Sequence, residues 1–240
     1  MKQKSMQNNE QTILEPTALI NTPSIGQVWR KSHGFIALMS YYKCAMMEVE
    51  TKLNVLNEEF SLRFDRNPIS NIQSRLKSPV SIEEKLASKN LPMTLQTMEK
   101  NLNDIAGVRV TCAFLDDIYL LAECLLQQDD ITLIEQKDYI SHPKPNGYRS
   151  LHLIVQIPIY LQAGKRNMRV EIQLRTIAMD CWASLEHQLR YKKGLANTKQ
   201  ISNELQRCAA ISAELDMRMD RLRKQLIDES DREKRNDIGI

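Results

Sequence analysis

The sequence predicts an α+β fold, with a mixed, mostly antiparallel central sheet flanked by helices and with long N- and C-terminal helices. Segments that alternate apolar and polar residues fall in the middle of the chain, between residues 69 and 175. Apolar residues recur at helical spacing before these segments, from residue 38 to 60, and after them, from residue 201 to 226. A strand-rich middle between helices is typical of this class.

The N-terminal third is predicted to hold an arm followed by helices. Residues 1–24 are polar and contain Pro16 and Pro23, which predicts a flexible arm. A helical pattern then runs from about residue 26 to 64, and Gly34 marks a break between two helices. Asn67-Pro68 ends this region, because the residue before a proline disfavours helix.

The remaining elements follow from alternation, helical spacing and turn residues. Ser81 is expected to begin a helix, with Glu84 three residues later completing a capping box. A turn is expected over residues 162–167, and Trp182 and Leu185 are expected in the core. Strands are predicted over residues 69–76, 108–112, 131–140, 148–153 and 170–175. Further helices are predicted over residues 94–102, 115–128, 176–193 and 201–226.

Composition and charge exclude several classes of protein. The 240 residues include 33 Lys and Arg and 30 Asp and Glu. The resulting net charge of +3 is too small to indicate bulk nucleic-acid binding. No apolar run approaches the roughly 20 residues of a membrane span, and the first residues lack a signal peptide's apolar core. We therefore expect a cytoplasmic protein that needs neither membrane nor nucleic acid. Five widely spaced cysteines in apolar surroundings predict buried free thiols rather than disulfides or a zinc site.

Three predicted strands place chemically capable side chains on one face of the sheet. Successive strand residues point to opposite faces, so valines, leucines and isoleucines share the other face. The polar face carries Arg109, Thr111, Tyr148, Ser150, His152, Glu171, Gln173 and Arg175. This platform of cations, carboxylate, imidazole and phenol suits a nucleotide. The alternative is an ordinary antiparallel sheet with one solvated face.

Two carboxylates and a basic segment extend this platform. Asp104 precedes one strand and Glu171 lies within another, and two such carboxylates can hold Mg²⁺ beside phosphates. Tyr148 can stack on a base or serve as an amphipathic residue at a strand start. Polar groups before and inside a helix start would suit a polyphosphate, or form a solvated basic edge; they are Arg75, Lys77, Ser81 and Lys85.

Five motifs, in order, resemble the synthetase domain of the alarmone (ppGpp) synthetases. They are Arg75-x-Lys77-Ser78, residues 104–109, residues 142–152, residues 171–176 and residues 182–187. The block Asn-Gly-Tyr-Arg-Ser-Leu-His at residues 146–152 is the most specific of these. The chain lacks the His-Asp dipeptide of the family's hydrolase domain, so it is similar to the stand-alone small synthetases. The resemblance then implies a synthetase domain over residues 25–195 and a C-terminal helix over 196–240 that contributes to a homotetramer.

The resemblance also implies a reaction and a set of residue roles. The family transfers the pyrophosphate of ATP to the ribose 3′-hydroxyl of GDP or GTP with Mg²⁺ and releases AMP. Asp104 and Glu171 would hold the metal ion, and Glu171 would accept the hydroxyl proton. The ATP site would comprise Arg75, Lys77, Ser81, Lys85 and Arg109. The GDP or GTP site would comprise Lys144, Tyr148, His152 and Gln173.

One departure and two alternatives accompany this interpretation. Asp180 stands where many small synthetases have Asn, and a carboxylate accepts hydrogen bonds rather than donating them. A template-free nucleotidyltransferase would have a comparable sheet, although its Gly-Ser and Asp-x-Asp signature is missing from the sequence. A catalytically silent nucleotide-binding or RNA-binding module is the other alternative, and retention of both Asp104 and Glu171 argues against it.

Overall fold

The computed structural model describes residues 25–64, 66–191 and 198–237, so the predicted arm lies outside the described residues. The predicted α+β class is confirmed. The N-terminal and middle elements are α1 (Ile25–Arg30), α2 (His33–Phe64), β1 (Ile69–Leu76), α3 (Pro79–Ser88), α4 (Leu95–Asn101), β2 (Ala106–Cys112) and α5 (Leu115–Leu126). The remaining elements are β3 (Thr132–Asp138), β4 (Leu151–Leu161), β5 (Gly164–Thr176), α6 (Ile177–Tyr191) and α7 (Thr198–Asp237). Within the described ranges, no helix is both long and apolar enough to span a bilayer.

The strands form one mixed sheet in the order β1-β2-β5-β4-β3. β2 and β5 run parallel and the other neighbouring pairs run antiparallel, which confirms the predicted mixed, mostly antiparallel sheet. The register pairs Gly107 with Glu171 and pairs His152 with Gln173. The three strands that carry the predicted platform are therefore adjacent at the centre of the sheet.

The apolar face of the sheet packs against α2 and α5 and forms the main core. Val108, Val110, Ile172 and Leu174 alternate with polar residues and are fully buried, which confirms the predicted faces of β2 and β5. The long helix α2 contributes residues at threes and fours along one stripe, namely Leu38, Tyr42, Ala45, Val49, Leu53, Leu56 and Phe60. Burying each large side chain there stabilises the fold by about 1.5–3 kcal/mol. Because this energy is gained only when the apolar face of the sheet packs on α2, the polar face is the one left open.

Several predicted boundaries were wrong for local reasons. The helix predicted to begin at Ser81 begins at Pro79, because a proline fits the first helical turn and Ser78 accepts a hydrogen bond from the Ser81 N–H as the N-cap. The turn between β4 and β5 is only residues 162–163, since Gly164 at φ 116° allows a tight reversal. The break between α1 and α2 falls at residues 31–32, before Gly34.

Some predicted positions of side chains were also wrong. Ser150 precedes β4 rather than lying in it, and its hydroxyl donates to Leu174 O at 3.0 Å in a fully buried position. Trp182 is buried as expected, but Leu185 is 54% exposed. All five cysteines are free, yet Cys181 and Cys208 are exposed, because they lie on α6 and α7 outside the main core.

The C-terminal helix α7 packs against α6 and α5. Its inward contacts include a small cluster in which Leu205 and Ala209 meet Trp182, whose indole N–H donates to Leu205 O at 2.9 Å. Much of the apolar stripe predicted on this helix is nevertheless exposed, at Ile211, Leu215, Met219, Leu222 and Leu226. The periodicity predicts a helix with an apolar stripe, but α6 and α5 cover only part of that stripe.

Candidate active site

A polar cleft of about 610 Å³ opens on the face of the sheet opposite the main core. Strands β1, β2 and β5 and the segment before β2 supply its walls. Residues that line it include Arg75, Lys77, Asp104, Arg109, Glu171 and Gln173. The structure thus brings together most of the residues predicted for ATP and metal binding, from three separate parts of the chain.

Asp104 lies between α4 and β2 and receives two ammonium groups on one oxygen. Its Oδ2 accepts from Lys77 Nζ at 2.8 Å and from Lys85 Nζ at 2.6 Å. Burial raises the pKa of Asp104, but the hydrogen bonds from the two lysines outweigh burial, so the pKa lies below its ordinary value. Its Oδ1 is buried and has no hydrogen-bond partner among the described residues. An ionised carboxylate with an unused oxygen faces the cleft.

Glu171 lies in the middle of β5 and is held on both oxygens. His152 Nδ1 is 3.2 Å from Oε1, and Gln173 Nε2 donates to Oε2 at 3.0 Å. Burial raises the pKa of Glu171, but the hydrogen bonds from His152 and from the Gln173 amide outweigh burial, so the net pKa is below its ordinary value. The charge of Asp104 acts in the opposite direction, so the two carboxylates are close enough to interact.

The fit of these two carboxylates to Mg²⁺ follows from their oxygens. Mg²⁺ usually keeps several waters and takes one or two protein carboxylates together with substrate phosphates. The unused Oδ1 of Asp104 and the nearby Glu171 offer that donor set. The described residues contain no cluster of three or more His, Cys, Asp or Glu able to hold an ion alone. The site therefore fits an ion that arrives with phosphates better than one in an all-protein cage.

Tyr148 lies just before β4, where its ring and hydroxyl join a group of rings and cations. Its hydroxyl is 2.8 Å from His152 Nε2 and accepts from Arg175 Nη2 at 2.6 Å. Lys144 Nζ lies 5.0 Å from the centre of the Tyr148 ring, and Tyr139 approaches it edge-on at 6.1 Å. Tyr148 is thus linked through His152 to Glu171. The sequence predicts Tyr148 inside the strand, but the strand begins only at Leu151.

The loop before Tyr148 is supported by α7, a contact that no local sequence signal indicated. Gly147 has φ 91°, and a Cβ added there would lie 2.5 Å from Ala209 Cβ. Gln206 Nε2 on α7 donates to Pro145 O. Lys144 N–H donates to Tyr148 O at 3.1 Å and closes the loop. The positions of Lys144 and Tyr148 therefore depend on a helix about 60 residues away in sequence.

Arg109, Arg175 and Asp180 form a charged group beside the cleft. Asp180 Oδ1 accepts from Arg175 Nη1 at 3.1 Å and lies 3.4 Å from Arg109 Nη1. Burial and the neighbouring charge of Arg175 lower the pKa of Arg109, and Asp180 partly offsets this. Asp180, identified from the sequence only as a departure from relatives, is thus the shared counter-ion of two arginines.

Not every predicted site residue faces the cleft. Ser81 lies in the first turn of α3, where its N–H and hydroxyl both contact the Ser78 hydroxyl, and it is not among the residues lining the cleft. Arg75 is on β1 opposite Gly107 and does line it. Thr111, expected on the open platform, is buried. The ATP-binding and acceptor-binding assignments of individual residues remain predictions.

The fold and this cleft define a class of protein: a nucleotide-binding domain equipped to transfer phosphoryl groups. Two carboxylates line this cleft: two lysines contact Asp104, and His152 links Glu171 to the Tyr148 hydroxyl. Phosphoryl transfer depends mainly on positioning and charge neutralisation, which this arrangement supplies. The family described as "Region found in RelA / SpoT proteins" matches residues 74–196. The chain belongs to this family.

Two curated relatives and two solved structures illustrate the similarity. The chain is 43% identical to GTP pyrophosphokinase YwaC of Bacillus subtilis (strain 168) over 185 residues. These aligned residues make up 77% of this chain and 88% of that protein. The chain is 37% identical to GTP pyrophosphokinase YjbM of the same organism, over 77% of this chain and 86% of that protein. The crystal structure of small alarmone synthetase 1 from Bacillus subtilis bound to its product pppGpp has a TM-score of 0.73 and 35% identity, and covers 81% of this chain and 98% of that chain. The form of that synthetase bound to AMPCPP has a TM-score of 0.70 and 32% identity, and covers 82% of this chain and 100% of that chain.

Proposed function

We propose that this protein is a (p)ppGpp synthetase, which transfers the pyrophosphate of ATP to the 3′-hydroxyl of GDP or GTP, releases AMP and serves the stringent response. The observation that carries the proposal is that two ionised carboxylates, Asp104 and Glu171, line one cleft that also contains Lys77. Relatives named GTP pyrophosphokinase support it. The sequence contains no His-Asp dipeptide, so we propose synthesis without hydrolysis by this chain.

The donor side of the cleft would hold ATP. Arg75 and Arg109 on neighbouring strands offer two flat guanidinium groups that can flank an adenine ring. Lys77 and Lys85 both donate to Asp104, and the remaining N–H groups of each ammonium can donate to phosphate oxygens. Ser81 in the first turn of the neighbouring helix adds a hydroxyl and helix amides, which favour anions.

The acceptor side would hold GDP or GTP. The Tyr148 ring can stack on guanine, and Lys144 beside it can contact a phosphate. His152 and Gln173 hold the Glu171 carboxylate from two directions. Because its pKa is lowered, Glu171 stays unprotonated at neutral pH and can accept the proton of the 3′-hydroxyl as that oxygen attacks phosphorus.

Asp104 and Glu171 would also hold Mg²⁺, the cofactor that the family resemblance implies. A bound ion would supply positive charge that offsets the negative charge of the transferred phosphates and of the leaving group. Asp104 suits this role because Oδ2 is held by two lysines while Oδ1 has no hydrogen-bond partner among the described residues. Chelation of divalent ions with EDTA should abolish AMP release, and added Mg²⁺ should restore it; full activity in EDTA would contradict the metal role.

A nucleotide assay tests the function directly. The protein is incubated with ATP, GDP and Mg²⁺, and the nucleotides are resolved by chromatography. AMP release matched by formation of a guanosine tetraphosphate is the expected result. Glu171→Gln should abolish turnover while leaving nucleotide binding measurable. Glu135→Gln on the exposed edge strand β3 is the matched control and should retain activity.

Other outcomes of the same assay identify the alternatives. Pyrophosphate release with extension of a nucleotide chain would indicate a nucleotidyltransferase. Tight nucleotide binding without any product would indicate a silent binding module. Full activity of Glu171→Gln would refute its role as base and metal ligand, whichever product forms.

We also propose that the protein is a homo-oligomer and, by resemblance, a tetramer. We further propose that it is cytoplasmic, because its proposed substrates ATP and GTP occur there. The exposed apolar residues of α7, Leu215 among them, are the proposed contact. Light scattering after size exclusion should give a tetramer mass for the wild type and a smaller mass for Leu215→Glu. Arg207→Glu, an exposed polar position on the same helix, should leave the mass unchanged. A monomeric wild type would refute the assembly, and recovery of the protein in a membrane fraction would refute the location.

A further inference from the structure

Arg175 is a buried cation that does not line the cleft, yet it donates hydrogen bonds to three side chains. It is 4% exposed, and its Nη1 donates to Asp180 Oδ1 at 3.1 Å. Its Nη2 donates to the Tyr148 hydroxyl at 2.6 Å and to Gln173 Oε1 at 3.0 Å. Each of the last two residues is in turn hydrogen-bonded towards Glu171, so two relays begin at Arg175.

The direction of the first relay follows from the chemistry of its members. A guanidinium can only donate, so the Tyr148 oxygen is an acceptor towards Arg175. The single Tyr148 proton is then available for His152 Nε2 at 2.8 Å, which makes Nε2 an acceptor. In a neutral imidazole the ring proton is then on Nδ1, which lies 3.2 Å from Glu171 Oε1 and donates to it, as an ionised carboxylate requires. Arg175 and Glu171 therefore favour the same histidine tautomer from the two ends of the relay.

The second relay is shorter and its direction is fixed in the same way. Because Arg175 can only donate, the Gln173 amide must turn its oxygen towards Arg175. Its nitrogen then points at Glu171 Oε2, to which it donates at 3.0 Å. Replacing the arginine would remove one of the two hydrogen bonds that hold this amide in its orientation.

Asp180 explains why Arg175 stays in place although it is buried. A buried guanidinium needs a counter-charge, and Asp180 supplies one at the outer end of the group. The Tyr148 ring lies beside Arg175, with the guanidinium carbon 5.1 Å from the ring centre. The arginine is thereby fixed at one end by a carboxylate and along its side by the ring it orients.

We propose that Arg175, anchored by Asp180, is a positioning residue that orients both oxygens of the Glu171 carboxylate through two hydrogen-bond relays, one through Tyr148 and His152 and one through Gln173. The consequence for catalysis rests on the proposed synthetase function. With both oxygens held, the carboxylate presents fixed lone pairs to the acceptor hydroxyl, and loss of this orientation should lower kcat more than it changes the KM for ATP.

The first experiment tests the direction of the relay and needs no activity. The protein is labelled with ¹⁵N-histidine, and His152 is assigned with a His152→Gln variant. Nitrogen-detected correlation spectra distinguish a protonated from an unprotonated ring nitrogen. We expect the His152 proton on Nδ1. A proton on Nε2, in a neutral or a doubly protonated His152, would overturn the proposal, because Nε2 could not then accept from Tyr148.

The second experiment measures the effect on turnover. Arg175→Met keeps length and apolar bulk but removes every donor, and we expect kcat to fall about ten- to hundredfold, as for other residues that orient a catalytic ligand, with little change in the KM for ATP. Arg166→Met is the control, since Arg166 lies on the same strand but pairs with Glu99 outside the cleft. Equal effects of the two variants on kcat would refute the proposal.

A double-mutant cycle separates the relay from a general loss of packing. Tyr148→Phe keeps the ring and removes the hydroxyl, so Arg175→Met should cost less in that background than in the wild type. Strictly additive losses would mean that Arg175 does not act through Tyr148. If Arg175→Met fails to fold, Arg175→Lys replaces it, because an ammonium cannot reach all three acceptors at once. A wild type without synthetase activity would refute the proposed function alone, since the nitrogen spectrum would still decide the relay.

Discussion

Replacing Gly147 with alanine tests whether the C-terminal helix supports the proposed acceptor site. Gly147 lies in the loop between Lys144 and Tyr148 and has φ 91°, a conformation that side chains with a Cβ rarely adopt. The added methyl would lie 2.5 Å from Ala209 Cβ on α7, well inside van der Waals contact. The loop must therefore move away from α7, or α7 must move away from the loop.

The structure allows the two costs to be separated. The positive φ alone should cost about 1–2 kcal/mol, and overpacking against α7 should add about 1–3 kcal/mol. Gly164 in the β4–β5 turn has φ 116°, and a Cβ there meets nothing within 4 Å. Gly164→Ala therefore carries the backbone cost without the steric cost. The difference between the two variants in free energy of unfolding measures the contact with α7.

Urea unfolding and steady-state kinetics are the two assays. We expect Gly147→Ala to be less stable than Gly164→Ala by about 1–3 kcal/mol. If the loop moves instead, each 1.4 kcal/mol lost from acceptor binding raises the KM for GDP about tenfold, while the KM for ATP stays the same. Adding Ala209→Gly removes the opposing methyl, so the double variant should recover the KM for GDP, although a glycine in α7 itself costs about 1 kcal/mol.

The refuting result is equally specific. If Gly147→Ala and Gly164→Ala lose the same stability and leave the KM for GDP unchanged, the loop does not pack on α7 as described. If Ala209→Gly fails to restore a raised KM, the steric explanation is wrong even though the loop is sensitive.

Three further predictions concern the carboxylates. Lys85→Met removes one of the two ammonium groups on Asp104 and should raise the KM for ATP about tenfold, whereas the exposed Lys89→Met should not; equal KM values would contradict the proposed phosphate contact. Asp104→Asn should make the free energy of unfolding, measured by urea titration at several pH values, fall less steeply as the pH is lowered. Its folded pKa is lowered, so the wild-type carboxylate stabilises the fold above its ordinary pKa of about 3.9 and loses this effect as the pH falls through the folded value; an unchanged slope would contradict this. Asp117→Asn should cost about 3–5 kcal/mol in unfolding free energy, because this fully buried carboxylate pairs with Arg66 at 2.6 Å; a loss below 1 kcal/mol would show that the pair is dispensable.

Local patterns predicted the strands and their faces because those depend on neighbouring residues. In β5, Val170, Ile172 and Leu174 had to share a side, which placed Glu171 and Gln173 together on the other. The same reasoning located α2 and its buried stripe. It also placed Asp104 near Glu171 once the strands were assumed to pair, and the parallel pairing of β2 with β5 provides that proximity.

Interactions between distant segments were not available to such reasoning. The sequence placed Tyr148 within a strand, whereas the structure places it before β4, where Arg175 and His152 hold its hydroxyl. The error at Ser81 has a local cause instead, because Ser78 and the following proline give the helix an earlier start than the capping-box pattern predicts. Leu185 matches the period of a buried helix face, but other elements leave more than half of its side chain exposed.

The sequence by itself determined the fold class, the two faces of the central strands and the family to which the motifs belong, because alternation and spacing are properties of a few consecutive residues. Only the tertiary structure decided that Asp180 joins Arg109 to Arg175, that Arg175 directs two relays to Glu171, and that α7 supports the loop of Tyr148. Those arrangements depend on which segments meet in space, and a periodic stripe specifies that a face is apolar without specifying what covers it.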